Sequence, residues 1–236
     1  MKKIYEYLGK PTSNNTLIKL NDNNVRQSLL DELKRVGTDA DLNRFDVSEV
    51  TKMEYIFEDT DFSGDVSKWN VSNLTNALGL FKGCKNFNSD LSKWDVRNLK
   101  YASEMFSECE NFNQDLSRWQ IDSIETAEHM FFKCYKFNSD LSDWNVSKCK
   151  KFSGMFYMCK EFTSDLSSWQ ITDGSEIYGM FYKCSRLNFK MVGNAWETYF
   201  ENNSGWTRYY EYALTKTGFR KNNLPKRIAT MFKINK

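Results

Sequence analysis

A period of 25 residues runs through most of the chain and constrains its fold more than any other feature. Tryptophan, aspartate, cysteine and two phenylalanines each recur at this step without drift, so the pattern indicates stacked structural repeats. A repeat this short cannot bury its apolar side chains alone, and neighbours must therefore share one core. The tryptophan column contains Trp69, Trp94, Trp119, Trp144 and Trp169; the aspartate column contains Asp65, Asp90, Asp115, Asp140 and Asp165; the cysteine column contains Cys84, Cys109, Cys134, Cys159 and Cys184.

Two apolar periodicities follow one another within each repeat. The spacing L-x-x-W-x-V, as in Leu91 to Val96, ends in alternation and predicts a short strand with tryptophan facing inward. The following apolar residues stand at i, i+3, i+4 and i+7, as from Ala102 to Cys109, and predict a helix of about two turns. Each repeat is therefore expected to contain a strand, a turn and a short helix.

These repeats predict an α/β fold, a leucine-rich-repeat-like solenoid of about six 25-residue strand-helix repeats. Strands stack more closely than helices, so the array is expected to curve with the strands on its concave side. Three regions are predicted: an amino-terminal capping segment at 1–40, the solenoid at 41–187, and a carboxy-terminal cap with a basic tail at 188–236. The first cap should contain a helix that ends at Gly37, and the second is rich in aromatic residues.

The run F-N-x-D-L-S-x-W-x-V followed by M-F-x-x-C resembles the BspA-like leucine-rich repeat family of bacterial surface proteins and mycoplasma lipoproteins. The resemblance covers Asp41 to about Leu187. It implies a surface or extracellular protein that takes part in adhesion or in binding host proteins.

The repeated polar residues have structural explanations that compete with chemical ones. One aspartate per repeat could form a calcium ladder, but calcium takes six to eight oxygen ligands, and an aspartate before a strand is typical of a turn cap. The cysteines lack C-x-x-C pairs and are expected to be reduced, buried core residues. The single histidine, His129, has no nucleophile or carboxylate recurring near it. We therefore expect a non-enzymatic protein without metal or cofactor.

The residues that vary between repeats are the candidates for binding, because packing fixes the constant ones. Those beside each tryptophan should face outward on the concave side, where they form a polar surface, basic in the early repeats. A protein partner is expected there. The candidate residues on this face are Lys68, Asn70, Lys93, Asp95, Arg97, Arg118, Gln120, Asp143, Asn145 and Gln170.

The carboxy-terminal segment offers a second candidate surface. Residues 201–236 contain eight Lys or Arg and two Glu, which makes this segment basic within a chain of formal charge +2. Such a tail suits nucleic acid or an anionic surface, which is the alternative to protein binding, although a solvated helical face is the simpler interpretation. Its candidate residues are Trp206, Arg208, Tyr209, Arg220, Lys221, Lys226 and Arg227.

The amino terminus, MKKIYEYLGK, lacks the apolar stretch of a secretory signal. No window approaches the roughly 20 apolar residues that span a bilayer. The sequence as written is therefore expected to be cytoplasmic, and a surface or secreted location would require a removed leader or another export route.

Overall fold

The computed structural model describes residues 17–172 and 174–187. In this part of the chain the regular elements are strand β1 (Ile18–Lys19), helix α1 (Val25–Val36) and strand β2 (Phe45–Asp46). The two strands pair in parallel, with Ile18 opposite Phe45. The whole of the predicted carboxy-terminal segment, 188–236, lies outside the described residues.

Helix α1 occupies the expected place in the amino-terminal segment. Its apolar positions Val25, Leu29 and Leu33 belong to the core. The helix ends at Gly37, whose φ of 106° is accessible to glycine and whose N–H donates to the Leu33 carbonyl at 2.9 Å. Buried Glu32 binds Arg44, with 2.5 Å between carboxylate and guanidinium, so the helix is tied to the start of the repeats.

The repeats stack in parallel, each against the next. Isolated parallel bridges connect residues one repeat apart, and together they form a continuous series along the chain. The series runs through Lys52, Asn76, Tyr101, Thr126, Lys151 and Glu176. The sequence period is therefore the period of backbone contact between neighbouring repeats.

The segments expected to be short helices are turns in the structure. In the repeat that begins near Asn76, the N–H groups of Ala77, Gly79, Phe81 and Gly83 donate to carbonyls of the following repeat at 2.8–2.9 Å. Other N–H groups, such as that of Leu80, bond within the turn, at 3.2 Å to Ala77. A helix of two turns is marginal alone, whereas this arrangement satisfies backbone donors and also joins the repeats.

The segments expected to be strands around each tryptophan are also turns. The Trp94 N–H donates to the Leu91 carbonyl at 3.0 Å, and the Leu99 N–H donates to the Val96 carbonyl at 2.9 Å. The side chains predicted to face inward, Leu91, Trp94 and Val96, are nevertheless buried. The prediction of the buried positions is confirmed, while the local backbone differs from the prediction.

Stacked rings form the centre of the core. Neighbouring phenylalanines in the column that includes Phe81 and Phe106 are 5.5–5.9 Å apart between ring centroids, and the tryptophans are 6.3–6.5 Å apart. The indole N–H of each column tryptophan donates to a carbonyl of the preceding repeat, as Trp119 does to Leu91 at 2.9 Å. The polar atom of each of these five buried indoles thus has a partner.

The aspartate column caps turns, as predicted. One carboxylate oxygen in each repeat accepts the N–H two residues later; for Asp90 the donor is Ser92, at 2.9 Å. A buried serine of the following repeat supports the same corner: Ser139 Oγ accepts the Leu116 N–H at 2.8 Å and lies 3.5 Å from Asp115.

The asparagine that follows phenylalanine in several repeats connects neighbouring repeats. Asn88 Oδ1 accepts the Asn113 N–H at 2.9 Å, and Asn113 Oδ1 accepts the Asn138 N–H at 2.9 Å. This residue therefore has a structural role between copies of the repeat.

Candidate functional site

The outward residues beside each buried tryptophan form one surface, which we call the tryptophan face. Each of the five column tryptophans is at most 4 % exposed, and the residues on either side of it turn toward solvent. Asp95 is half-buried, and the other nine candidate residues of this face are exposed. The exposed members are Lys68, Asn70, Lys93, Arg97, Arg118, Gln120, Asp143, Asn145 and Gln170.

Three cations occupy the same position in successive repeats and form the cation column: Lys68, Lys93 and Arg118. Among residues 17–172 and 174–187, no carboxylate forms an ion pair with any of the three. In the next repeat the same position is Asp143. The face therefore changes sign along the stack.

Amide side chains follow four of the five column tryptophans and form the amide column: Asn70, Gln120, Asn145 and Gln170. Asn70 Oδ1 accepts the Ser72 N–H at 3.1 Å, which still leaves its NH₂ group to act as a donor. The Asn145 amide donates to Asp122 at 2.6 Å. Asparagine and glutamine both donate and accept hydrogen bonds, so this column can bind another polypeptide backbone.

Asp95 interrupts the amide column. Arg97 binds it with both Nε, at 2.9 Å, and Nη2, at 2.6 Å. This hydrogen bonding by the guanidinium holds the pKa of the Asp95 carboxyl below its ordinary value. These two predicted site residues therefore neutralise each other.

Two surface depressions lie on the tryptophan face. One of about 410 Å³ is lined by Lys68, Asn70, Lys93 and Asp95, among others. Another of about 420 Å³ is lined by residues that include Arg118, Gln120, Asp143 and Asn145. The structure thus brings eight of the predicted residues to the edges of two depressions along one stack.

The candidate residues of the carboxy-terminal segment, from Trp206 to Arg227, lie outside the described residues. Their prediction as a second binding surface stays a prediction.

His129 lies in a different depression, of about 530 Å³, which Ser103, Glu104 and Glu128 also line. Sequence inspection does not place these residues together, because they come from successive repeats. Ser103 Oγ donates to Thr126 Oγ1 at 3.1 Å, and among the described residues no hydrogen bond joins it to His129. An activated serine needs such a bond to its base.

All six cysteines are free and buried, which confirms the prediction. The Cys109 thiol donates to the Phe81 carbonyl at 3.0 Å, and the same bond recurs at each column cysteine. Burial raises the pKa of Cys84 and of Cys149 to about 12. A thiol held protonated in this way is a poor nucleophile and a poor metal ligand.

No helix among the described residues has the length and apolar character needed to cross a membrane.

The stacked repeats and their variable outer residues are features of a repeat protein. A family profile described as "Mycoplasma protein of unknown function, DUF285" matches residues 27–138 and 118–205. The two matches together cover more than half of the chain, and the chain belongs to the DUF285 family. A search of the curated proteins finds no match.

Proposed function

We propose that this chain is a non-enzymatic protein-interaction module, built as a leucine-rich-repeat-like solenoid of the BspA-like type, and that its partner binds the tryptophan face. Parallel bridges one repeat apart and the shared ring columns support a solenoid. The resemblance to BspA-like repeats extends the proposal to adhesion or host-protein binding at a surface.

One observation carries this proposal: the inward residues hardly change between repeats, while the outward ones do. At the position before tryptophan, two lysines and an arginine are followed by aspartate and serine. Packing does not require these changes, because all five residues are exposed. A rigid array with variable surface residues is preorganised, so little conformational freedom is lost on binding.

The hydrogen bonds favour a curvature opposite to the predicted one. The turns between Ala77 and Gly83, and their copies, would lie on the inner side of the curve instead of the tryptophan segments. Between Ala77 and Gly83, backbone groups of adjacent repeats bond directly. Around the tryptophans, side chains such as Trp119 and Ser139 make the connections, and the ring centroids are more widely spaced. We propose that the tryptophan face is the outer or flat side of the array, and binding there does not require a concave surface.

Charge reversal tests the proposed binding face. We expect the triple variant Lys68→Glu, Lys93→Glu, Arg118→Glu to fold, because all three side chains are exposed, and to lose the partner. A matched control, Lys85→Glu, Lys136→Glu, Lys160→Glu, makes the same charge change at exposed residues that line neither depression of the tryptophan face.

The measurement is quantitative affinity capture from extracts of the source organism, with circular dichroism to check folding. Proteins captured by the wild type and the control, but not by the tryptophan-face variant, would support the proposal. Equal capture by both folded variants would refute it.

A further inference from the structure

We propose that the tryptophan face binds an extended peptide segment along the stack, in which an acidic run of about five residues is followed by a basic residue. This inference rests on the proposed function of protein binding and names the chemistry of the partner. The cation column, the amide column and the change of sign at Asp143 each specify one part of the segment.

The cation column is the first argument, because five other cations of the array are paired with carboxylates of an adjacent repeat and, among the described residues, the column makes no such pair. Lys82 Nζ lies 3.2 Å from Glu58 and 2.7 Å from Glu104, in the repeats on either side. Lys133 Nζ lies 3.2 Å from Glu108 in the preceding repeat. Stacking multiplies any like-charge repulsion at a fixed position, and these pairs remove it.

The cation column makes no ion pair within the described part of the chain, and its nearest electrostatic partners are the aspartates three residues earlier, whose pKa values are lowered by the serine N–H groups and, to a smaller extent, by Lys93 and Arg118. Lys68, Lys93 and Arg118 follow one another in successive repeats without an ion pair. The nearby aspartates Asp90 and Asp115 already accept serine N–H groups at 2.9 Å. A row of exposed cations that repel one another is complementary to a row of anions on a partner.

The amide column is the second argument, because it favours a polypeptide as the source of those anions. Gln120 is exposed beside Arg118, and Asn70 is exposed beside Lys68. Their amides can pair with the N–H and C=O groups of an extended chain while the cations pair with its carboxylates. A partner that offers both sets of groups is a peptide strand.

Spacing sets the length of the acidic run. The tryptophans beneath this face are 6.3 to 6.5 Å apart, which is close to the rise of about 6.8 Å over two residues of an extended peptide. Alternate side chains of such a peptide face the same way, so an acidic run of about five residues places three carboxylates against the cation column. Two residues further along, a basic side chain would meet Asp143.

A nucleic acid fits the same surface less well. The tryptophan rings are buried, so bases have no exposed ring to stack on along this face. Asp143 stands in line with the three cations and would repel a polyanion that continues past Arg118, whereas a peptide can place a basic residue there.

The test uses the whole chain and fluorescent synthetic peptides, with binding measured by anisotropy at low and physiological salt. The first peptide has five aspartates, a serine and a lysine; the second has asparagines in place of the aspartates; the third has glutamate in place of the lysine. We expect the first peptide to bind best, with an affinity that falls as salt rises.

Two substitutions locate the contacts. Lys93→Gln removes one charge without reversing it and should not disturb folding. It should lower the affinity for the first peptide by about two- to fivefold, as expected for one exposed ion pair. Asp143→Lys should lower the affinity for the first peptide and raise the affinity for the third. This exchange of preference cannot arise from unfolding. Lys136→Gln is the neutral control and should change neither.

Equal binding of the first two peptides, or no exchange of preference at Asp143, would overturn the inference. Tighter binding of single-stranded oligothymidylate than of any peptide, with the same dependence on Lys93, would also overturn the inference, because the partner would then be a nucleic acid. If charge reversal still abolishes capture of a natural protein partner while every acidic peptide fails, this inference falls and the proposed function stands.

Discussion

The buried serine at the corner of the repeat permits a quantitative test of how the stack is held together. Ser139 Oγ accepts the N–H of Leu116 at 2.8 Å, across the boundary between two repeats. Ser139 is 7 % exposed and Leu116 is 0 % exposed, so water cannot easily replace the lost oxygen. Ser139→Ala removes that oxygen and little volume, and the variant therefore isolates the hydrogen bond from changes in packing.

The expected cost follows from leaving a buried donor without a partner, which amounts to about 1–3 kcal/mol. We expect the free energy of unfolding to fall by about 2 kcal/mol, in the middle of that range. Urea unfolding followed by tryptophan fluorescence measures this loss, and hydrogen exchange of the Leu116 amide measures it locally, because repeat arrays can open in part. Ser147→Ala is the control, since Ser147 is exposed.

The same corner offers the reciprocal change. Gln114 occupies the serine position in one repeat and donates instead to the Asn88 carbonyl at 2.9 Å, so the Leu91 amide lacks the serine oxygen that Leu116 has. Gln114→Ser should supply it and raise stability by about 0.5–1.5 kcal/mol. A Ser139→Ala variant within about 0.5 kcal/mol of wild type, with unchanged exchange at Leu116, would refute the reasoning.

Three further predictions concern one residue from each of three repeated columns: Trp119, Asp90 and Cys134. Trp119→Phe should lower the free energy of unfolding in urea by about 2–3 kcal/mol, because the Leu91 carbonyl loses its donor at 2.9 Å and the ring is smaller; a loss below 0.5 kcal/mol would contradict this. The hydrogen bond from the Ser92 N–H lowers the pKa of Asp90 in the folded state. The stabilisation that this hydrogen bond gives is therefore fully present above the unfolded pKa of about 3.9 and is lost as pH falls through the folded pKa. Urea midpoints should therefore decline below about pH 4, and a rise there would be inconsistent with that sign. The Cys134 thiol, whose pKa burial raises, should resist a maleimide until urea unfolds the chain; mass spectrometry showing rapid native labelling would exclude the buried bond to Phe106.

The sequence allowed accurate prediction of the buried positions, and the reason is the strict period. Trp94, Phe106 and Cys109 are all buried where the columns place them. A side chain that recurs at every repeat with the same size can stack on its own copies, as Trp94 and Trp119 do at 6.5 Å. Its column therefore reports burial whatever the local backbone does.

The backbone conformation could not be predicted in the same way. The spacing from Ala102 to Cys109 fits one helix face, but it fits equally a turn that alternates bonds within the repeat and to the next one. Glu104 and Glu108 have φ of 57° and 63°, values unfavourable for most residues, and no helix contains them. Such conformations are stable here because carbonyl groups of the next repeat accept hydrogen bonds from these residues. The local sequence does not reveal these contacts, which are made with residues about one repeat away.

The exposure of the candidate site residues was predictable from the buried tryptophans. Which of these residues form ion pairs with each other was not. Asp95 and Arg97 were both predicted as binding residues, and their mutual hydrogen bonds reduce what either can offer a partner. Lys68 and Lys93 differ, because the described residues near them provide no ion pair. Only the side-chain geometry distinguishes a neutralised pair from an available charge.

Stability and recognition are therefore expected to respond to different substitutions. Replacing a column residue such as Trp119 removes contacts on both sides of its repeat, whereas replacing Lys93 removes no hydrogen bond or ion pair within the described residues. If the three cations repel one another, neutralising Lys93, the middle one, should leave the unfolding free energy unchanged or slightly raised, by up to about 0.5 kcal/mol. A loss of more than 1 kcal/mol on Lys93→Gln would instead mean that the lysine belongs to the scaffold, and it would remove the physical basis for reading this column as a binding surface.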